Sequence, residues 1–220
     1  MGQSKLRKLF NYIRYFRTSR LLLSMMHQGY FIDKGWIQSK NIGKAVDSQG
    51  KPIPWLTYSF LDFISDKIGK EHVIFEYGSG NSTLYWAKLC HKLYTVEHNL
   101  EWYNKIKAEI PSNVSLQHCD LSDPDQYANT INMSKLQFDV IIIDGRERVR
   151  CINTSSKCLK KNGIIVLDDS EREKYEDGIR FLESEGFKKL DFWGISPGYF
   201  ENKCTSVFFK VLFNQFCGID

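Results

Sequence analysis

Residues 75–83 have the sequence Phe75-Glu76-Tyr77-Gly78-Ser79-Gly80-Asn81-Ser82-Thr83, and this stretch decides the fold. The apolar run 73–77 predicts a buried strand, and residues 82–91 predict a helix. The two glycines therefore lie where a strand turns directly into a helix, and backbone N–H groups at such a turn can approach a ligand closely. A tight structural turn needs glycine for the same reason, so a function has to rest on further residues.

Strand-like and helix-like segments alternate after this turn. The predicted strands are Val73–Tyr77, Leu93–Val96, Val114–Gln117, Phe138–Ile143, Ile164–Leu167, Phe187–Phe192 and Thr205–Leu212. The predicted helices are Ser82–His91, Leu100–Glu109, about Glu147–Leu159 and Lys174–Ser184. This alternation predicts a sheet whose first five strands are parallel.

Two segments refine the predicted sheet. The run Val140–Ile143 is apolar at every position, which predicts a central strand covered on both faces by helices. The segment Gly194–Lys203 contains glycine, proline and asparagine and is too short for a helical crossover, so we expect it to be a loop between two antiparallel strands.

The composition is that of one globular domain. The chain has 220 residues, of which 42% are hydrophobic and 25% are charged, and this excludes collagenous and wholly disordered proteins. No apolar run is long enough to span a bilayer. Six cysteines without a Cys-x-x-Cys pair, after a basic start unlike a signal peptide, predict a cytoplasmic protein with free thiols.

The first part of the chain is strongly basic. Residues 1–40 hold eight Lys or Arg residues against one acidic residue, whereas the rest has more acidic than basic residues. This asymmetry predicts that the N-terminal arm meets something anionic, and it disfavours a nucleic-acid partner for the main domain. Residues 5–26 predict a helix that docks on its own domain or forms a homodimer, and peripheral contact with an anionic membrane is the alternative.

Acidic residues follow the second and third predicted strands. Glu97 comes 17 residues after Gly80, where a carboxylate can accept both hydroxyls of a ribose. Asp120 can accept from an adenine amino group, although an acid at such a place is often a helix cap. Thr83 stands where a dinucleotide fingerprint has its third glycine, which weighs against the rival prediction of an NAD-dependent oxidoreductase.

Through Glu76-x-Gly78-x-Gly80, Glu97 and the strand that ends in Ile143-Asp144, residues 73–170 resemble the class I S-adenosylmethionine-dependent methyltransferases. The resemblance implies an α/β fold, a Rossmann-like seven-stranded sheet with a final antiparallel strand and helices on both faces. It also implies that the glycine loop holds the methionine part of S-adenosylmethionine. The cofactor-binding residues predicted on this basis are Glu76, Gly78, Ser79, Gly80, Ser82, Thr83, Glu97, His98, Asp120 and Asp144.

A narrower resemblance is to bacterial methyltransferases of sugar and polysaccharide O-methylation. It rests on the segments 52–58, 80–83, 94–98, 144–148 and 167–170. It implies O-methylation of a carbohydrate or other small hydroxylated acceptor. The predicted methyltransferase domain spans 61–220 and follows a basic helical extension and lid segment over 1–60. The alternatives are a catechol-like or lipid-linked acceptor, or a non-catalytic nucleotide-binding scaffold.

Three carboxylates are expected at one edge of the sheet. Asp144 ends the fourth strand, and Asp168 and Asp169 end the fifth, so together they can hold Mg²⁺. The arrangement resembles the metal-dependent catechol O-methyltransferases, with Asp169 in place of an Asn; helix capping and ion pairing are the alternatives. Since a sugar hydroxyl needs a base or a metal to lose its proton, Asp144, Glu147 and Asp168 are the predicted catalytic residues.

Four residues are predicted to contact the acceptor. The guanidinium groups of Arg146 and Arg148 suit an anionic acceptor, and ion pairing with nearby acids is the alternative. The aromatic side chains of Trp55 and Tyr58 suit stacking on a sugar ring, and simple packing over the sheet is the alternative.

Overall fold

The structure is a computed structural model in which residues 8, 10 and 13–210 are described. Seven strands form one sheet: β1 Val73–Tyr77, β2 Lys92–Glu97, β3 Val114–His118, β4 Phe138–Ile143, β5 Leu159–Leu167, β6 Lys188–Ser196 and β7 Tyr199–Phe209. The strand order is β3-β2-β1-β4-β5-β7-β6, and β7 runs antiparallel to both of its neighbours. The predicted parallel arrangement of the first five strands is confirmed.

Helices precede the sheet and connect its strands. They are α1 Phe16–Ser24, α2 Tyr30–Asp33, α3 Trp36–Ile42, α4 Tyr58–Ile64, α5 Asn81–Leu89, α6 Leu100–Lys107, α7 Pro124–Met133, α8 Arg148–Ser155 and α9 Glu176–Ser184, with 3₁₀ turns at Ser156–Cys158 and Glu173–Tyr175. Proline at the start of α7 and Asp123, whose side chain accepts from the N–H groups of Asp125 and Gln126, explain why that helix begins there. Helix α7 is not among the predicted helices.

The sheet carries a hydrophobic core on each face. On β4, Val140 and Ile142 pack with residues of α4 and α5 in one core, whereas Ile141 and Ile143 pack with residues of α7, α8 and α9 in the other. Because successive side chains of a strand point to opposite faces, a central strand with both faces covered is apolar throughout. The central position predicted for this run is confirmed.

The loop between β1 and α5 lies against the end of β4. Gly78 has a φ of +92°, and a Cβ atom at this position would lie 3.2 Å from the Cα atom of Gly145. Glycine is therefore required both by the backbone conformation and by the close approach of two chain segments. This contact brings the loop after β1 next to the residues that follow β4.

The predicted loop at residues 194–203 is wrong. Strands β6 and β7 continue through most of it and meet at a hairpin turn, where Ser196 pairs with Tyr199 and Gly198 has a φ of +75°. The pairing of the two strands is antiparallel, as predicted, but β7 begins six residues earlier than expected, at Tyr199 rather than Thr205. Residues 211–212 of the predicted strand lie outside the described residues.

The helix α1 lies within the predicted helix 5–26, of which residues 5–7, 9, 11 and 12 lie outside the described residues. It buries none of its side chains, and Leu21, Leu22 and Leu23 are each at least 50% exposed. Contact of this segment with a second subunit or an anionic membrane stays a prediction. Within the described part of the chain, no helix combines the length and the apolar character needed to cross a membrane.

The central strand gives a test of the fold. Ile141 is fully buried, so we expect Ile141→Ala to lower the free energy of unfolding by about 2–5 kcal/mol through lost burial and a new cavity. Leu136, which is 42% exposed just before β4, is the control. Leu136→Ala is expected to change the free energy of unfolding by less than about 0.5 kcal/mol. Urea unfolding followed by circular dichroism measures both, and equal losses would contradict the assignment of β4 to the centre.

Candidate functional site

The loop after β1 is held by a chain of hydrogen bonds that starts at a buried acid. The Thr83 hydroxyl donates to Glu76 Oε2 at 2.5 Å and accepts from the Gly80 N–H at 3.0 Å. Glu76 is 1% exposed, and its Oε1 atom has no hydrogen-bond partner among the described residues. This free oxygen belongs to a residue that lines a cavity of about 240 Å³ beside the loop, so it is available to a bound molecule.

Glu97 joins the end of β2 to the same loop. Its Oε2 atom accepts from the backbone N–H and the hydroxyl of Ser79 at 3.1 and 3.0 Å, and its Oε1 atom accepts from the Asn99 N–H at 2.8 Å. His98 Nδ1 lies 2.9 Å from Glu97 Oε1. Glu97 is 4% exposed and lines the 240 Å³ cavity together with His98. The carboxylate predicted to hold a ribose is therefore fixed in direction before any ligand binds.

Eight of the ten predicted cofactor residues line this cavity or its neighbour of about 370 Å³, which lies over the start of α5. Thr83 is instead used inside the protein, as described above. Asp120 is exposed and accepts from the backbone N–H of Ser122 at 2.8 Å, and this bond and the Ser122 hydroxyl lower the pKa of its carboxyl. Asp120 lines neither cavity, because its side chain closes a local turn.

A third cavity of about 570 Å³ lies beyond Asp144. Asp144 lines all three cavities, and Trp55 lines the 370 and the 570 Å³ cavities. Asp144 follows β4 at the sheet edge where the loop after β1 and the end of β5 also lie. The edge of the sheet thus offers adjoining spaces for two ligands, with one carboxylate bordering both.

The predicted carboxylate trio does come together, but with cations among its members. Arg148 Nη2 is 3.0 Å from Asp144 Oδ1, and its Nη1 atom is 3.6 Å from Asp169 Oδ2. Lys203 Nζ is 2.7 Å from Asp169 Oδ1 and 3.2 Å from Asp168 Oδ2. Arg172 adds a contact of 2.8 Å to Asp169. These are the residues on which the metal prediction rested, and each carboxylate already has a positive partner.

The pKa values of the trio follow from burial and these charges. Burial, with Asp144 close by, raises the pKa of Asp168 to about 7. Burial also raises the pKa of Asp144, against the opposing effect of Arg148 and Lys203. For Asp169 burial acts in the same direction, but the hydrogen bond and the charge of Lys203 outweigh it, and its pKa is lowered.

The arrangement does not fit a divalent metal. Mg²⁺ needs oxygen ligands at about 2.0–2.1 Å in octahedral geometry. Among the described residues, no group of three or more His, Cys, Asp or Glu side chains is arranged to hold a metal ion. The Lys203 ammonium occupies the space between Asp168 and Asp169 that such an ion would need.

The fold places the other predicted acceptor and catalytic residues in different surroundings. Arg148 is 9% exposed and is used in the ion pairs described above, which bears out the alternative given for it. Arg146 is exposed and lines the 240 Å³ cavity. Glu147 pairs with Arg150 at 3.2 Å and lines a different cavity of about 380 Å³, so the structure does not bring it to Asp144 and Asp168.

The two predicted aromatic residues also have different surroundings. Trp55 is 41% exposed, lines the 570 Å³ cavity and lies with its ring 6.0 Å from that of Tyr199. Tyr58 is 3% exposed and packs in the core against Tyr30, so its placement at the acceptor is corrected to simple packing.

Several residues of the 570 Å³ cavity were not predicted as site residues. They are Glu171, Arg172, Ser196, Tyr199, Glu201, Asn202 and Lys203. Most belong to residues 194–203 of the hairpin of β6 and β7, the part that was predicted to be a loop. The strand pairs of β5 with β7, which end at Leu167 and Ser206, bring this hairpin beside Asp168.

The chain was compared with known proteins. No protein-family model and no curated protein sequence matches it. Among solved structures, it is similar to precorrin-6y C5,15-methyltransferase from Geobacter metallireducens GS-15, with 16% identity, a TM-score of 0.52, and coverage of 68% of this chain and 87% of the other. An rRNA methylase from Streptococcus thermophilus has 14% identity, a TM-score of 0.53 and coverage of 69% and 93%.

A protein described as an O-methyltransferase from Klebsiella pneumoniae matches with 14% identity, a TM-score of 0.54 and coverage of 89% of this chain and 97% of the other. At such low identity these similarities establish the fold. The predicted seven-stranded Rossmann-like methyltransferase sheet, with its antiparallel final strand, is confirmed, and its strand order is β3-β2-β1-β4-β5-β7-β6.

Glu76 gives a test by pH. Burial raises the pKa of Glu76 to about 8 from an ordinary value of 4.5, so the folded chain keeps a proton that the unfolded chain has already released. The contribution of this group to stability is complete below pH 4.5 and is lost as the pH rises to about 8. We expect Glu76→Gln to remove this fall in the free energy of unfolding, whose slope is at most about 1.4 kcal/mol per pH unit.

Urea unfolding between pH 5 and pH 8 measures the effect as the difference between the variant and the unchanged protein. Glu183→Gln, at an exposed carboxyl on α9, is the control that keeps the original slope. Parallel pH profiles for the unchanged protein and Glu76→Gln would show that Glu76 titrates normally in the folded state.

Proposed function

We propose that the chain is an S-adenosylmethionine-dependent O-methyltransferase that acts on a carbohydrate or another small hydroxylated acceptor. The observation that carries this proposal is the pair of spaces that meet at Asp144, one walled by the glycine loop and Glu97 and the other by Trp55 and the hairpin. A methyl transfer needs two such spaces, because donor and acceptor must be bound together and aligned.

The first space fits the donor by its chemistry. Glu97 offers a fixed carboxylate for the two ribose hydroxyls, and Glu76 offers a buried oxygen without a partner. The glycine loop lets a ligand approach the backbone at the start of α5. Once bound, S-adenosylmethionine supplies a methyl group on a positive sulfur, which is already activated for transfer.

The second space supports a hydroxylated and uncharged acceptor. Trp55 and Tyr199 provide aromatic faces of the kind that stack on sugar rings. The charged side chains that line the space are five carboxylates and two cations, from Asp144, Asp168, Asp169, Glu171, Glu201, Arg172 and Lys203. This excess of negative charge disfavours uronates and phosphates and favours neutral hydroxyl groups.

The buried carboxyls supply the base. A sugar hydroxyl is weakly acidic, and a general base acts best when its pKa lies near the working pH. Burial raises the pKa of both Asp144 and Asp168 toward that range, and both side chains line the acceptor space. In the proposed reaction the acceptor hydroxyl loses its proton to one of them, its oxygen bonds to the methyl carbon, and the carbon–sulfur bond breaks with its electron pair going to sulfur.

Calorimetric titration with S-adenosylhomocysteine tests the donor half. We expect micromolar binding, weakened about tenfold or more in Glu97→Ala because the charged acceptor of the ribose hydrogen bonds is lost. Glu183→Ala, at an exposed carboxyl of α9, is the control with unchanged affinity. Saturable binding of NAD with no binding of S-adenosylhomocysteine would overturn the proposal in favour of an oxidoreductase or a nucleotide sensor.

Transfer of a labelled methyl group tests the acceptor half. We expect label from S-adenosylmethionine to enter neutral monosaccharides in preference to the corresponding uronates, because the acceptor space is acidic. Tyr199→Ala, at a residue that lines the 570 Å³ cavity and neither of the other two, is expected to raise KM for the sugar and to keep the affinity for S-adenosylhomocysteine. Label entering uronates alone, or catechols in place of sugars, would contradict the proposed acceptor.

A further inference from the structure

Lys203 lies at the wall of the 570 Å³ cavity between two carboxylates. Its Nζ atom contacts Asp169 Oδ1 at 2.7 Å and Asp168 Oδ2 at 3.2 Å. The side chain keeps 17% of its surface exposed and lines the cavity. The ammonium group is therefore fixed in place and still within reach of a molecule bound there.

Arg148 completes the charge of the same cluster from the side of the 240 Å³ cavity. It contacts Asp144 at 3.0 Å and Asp169 at 3.6 Å, and its Nη1 group also donates to the backbone oxygen of Asp168. Together Lys203 and Arg148 bring two positive charges to three carboxylates, and Arg172 adds a third at Asp169. The positive charge already present is therefore at least that of one divalent ion.

We propose that Lys203, supported by Arg148, is the resident cation of this site and takes the place that a divalent metal holds in metal-dependent methyltransferases. Lys203 lies between two carboxylates, has the guanidinium groups of Arg148 and Arg172 beside the same cluster, and is exposed toward the cavity. These are the features that such a replacement needs. The site then excludes metal ions, because the carboxylate oxygens that would bind them are already paired.

Lys203 also has a task toward the acceptor, and this part rests on the proposed function. Its ammonium donates a hydrogen bond to the acceptor oxygen and stabilises the negative charge that develops there. The hydroxyl proton passes to a carboxylate of Asp144 or Asp168, and the oxygen forms its bond to the methyl carbon. The carbon–sulfur bond breaks with its electron pair going to sulfur, while Lys203 keeps its protons.

The test is a titration of Mn²⁺, as the metal alone, into protein treated with a chelator. Calorimetry and the electron paramagnetic resonance signal of free Mn²⁺ both report binding, and neither needs the acceptor. Lys203→Ala removes the ammonium that lies between Asp168 and Asp169, whereas Lys203→Arg keeps a cation there. Lys160→Ala is the matched control, because Lys160 pairs with the single carboxylate of Asp139 at 2.8 Å.

We expect saturable Mn²⁺ binding in Lys203→Ala at an affinity about tenfold or more above that of the unchanged protein. Lys203→Arg and Lys160→Ala are expected to show no gain. A second change, Asp169→Asn, added to Lys203→Ala must weaken the new binding, since it removes one ligand. Circular dichroism confirms that each variant is folded.

Saturable Mn²⁺ binding by the unchanged protein at the affinity of Lys203→Ala would overturn the proposal. So would the absence of any gain in a folded Lys203→Ala variant. S-adenosylhomocysteine binding is measured on the same samples, so a failure of the proposed function is seen separately from a failure of the metal replacement.

Discussion

The carboxylates of Asp144, Asp168 and Asp169 share one wall of a cavity, and the site depends on the cations that compensate them. Two carboxylates at such a short distance cannot both stay ionised without a nearby positive charge. An unpaired charge buried there destabilises a fold by about 3–5 kcal/mol. Arg148 at the start of α8 and Lys203 on β7 supply the compensation, and Arg172 adds a contact to Asp169. The segments that follow β4 and β5 are therefore held to each other and to β7 by charge as well as by the sheet.

The sequence predicted the parallel part of the sheet well because its signals are local. Strands β1 and β4 have the predicted bounds, since each is a short apolar run closed by a glycine or an acid. The helix α7 was missed although Asp123 and Pro124 mark its start, because its apolar residues are few and widely spaced. The outer half of the hairpin of β6 and β7, residues 194–203, was missed because its glycines, proline and asparagine suggested a loop.

In the candidate site, too, the residues with local sequence signals could be predicted and those placed by distant strand pairing could not. The residues of the glycine loop and Glu97 could be found from the sequence, because they follow strands at short, regular spacing and the fold brings strand ends to one edge. Lys203 could not, because its place beside Asp168 depends on the pairing of β7 with β5, between segments far apart in the chain. Tyr58 illustrates the opposite error, since an aromatic residue near a site is as easily a core residue.

Arg148 and Lys203 lie beside different ligand spaces, and this bears on how the site works. Arg148 lines the 240 Å³ cavity and Lys203 lines the 570 Å³ cavity, while Asp144 lines both. Asp144 is therefore paired with Arg148 on the side of the 240 Å³ cavity and shares the 570 Å³ cavity with Lys203. A molecule entering either space meets a carboxylate whose direction is already set, and this preorganisation is what a transfer between two bound molecules requires. The antiparallel β7, which carries Lys203, is thus the element that turns a binding edge common to parallel sheets into a site with two distinct halves.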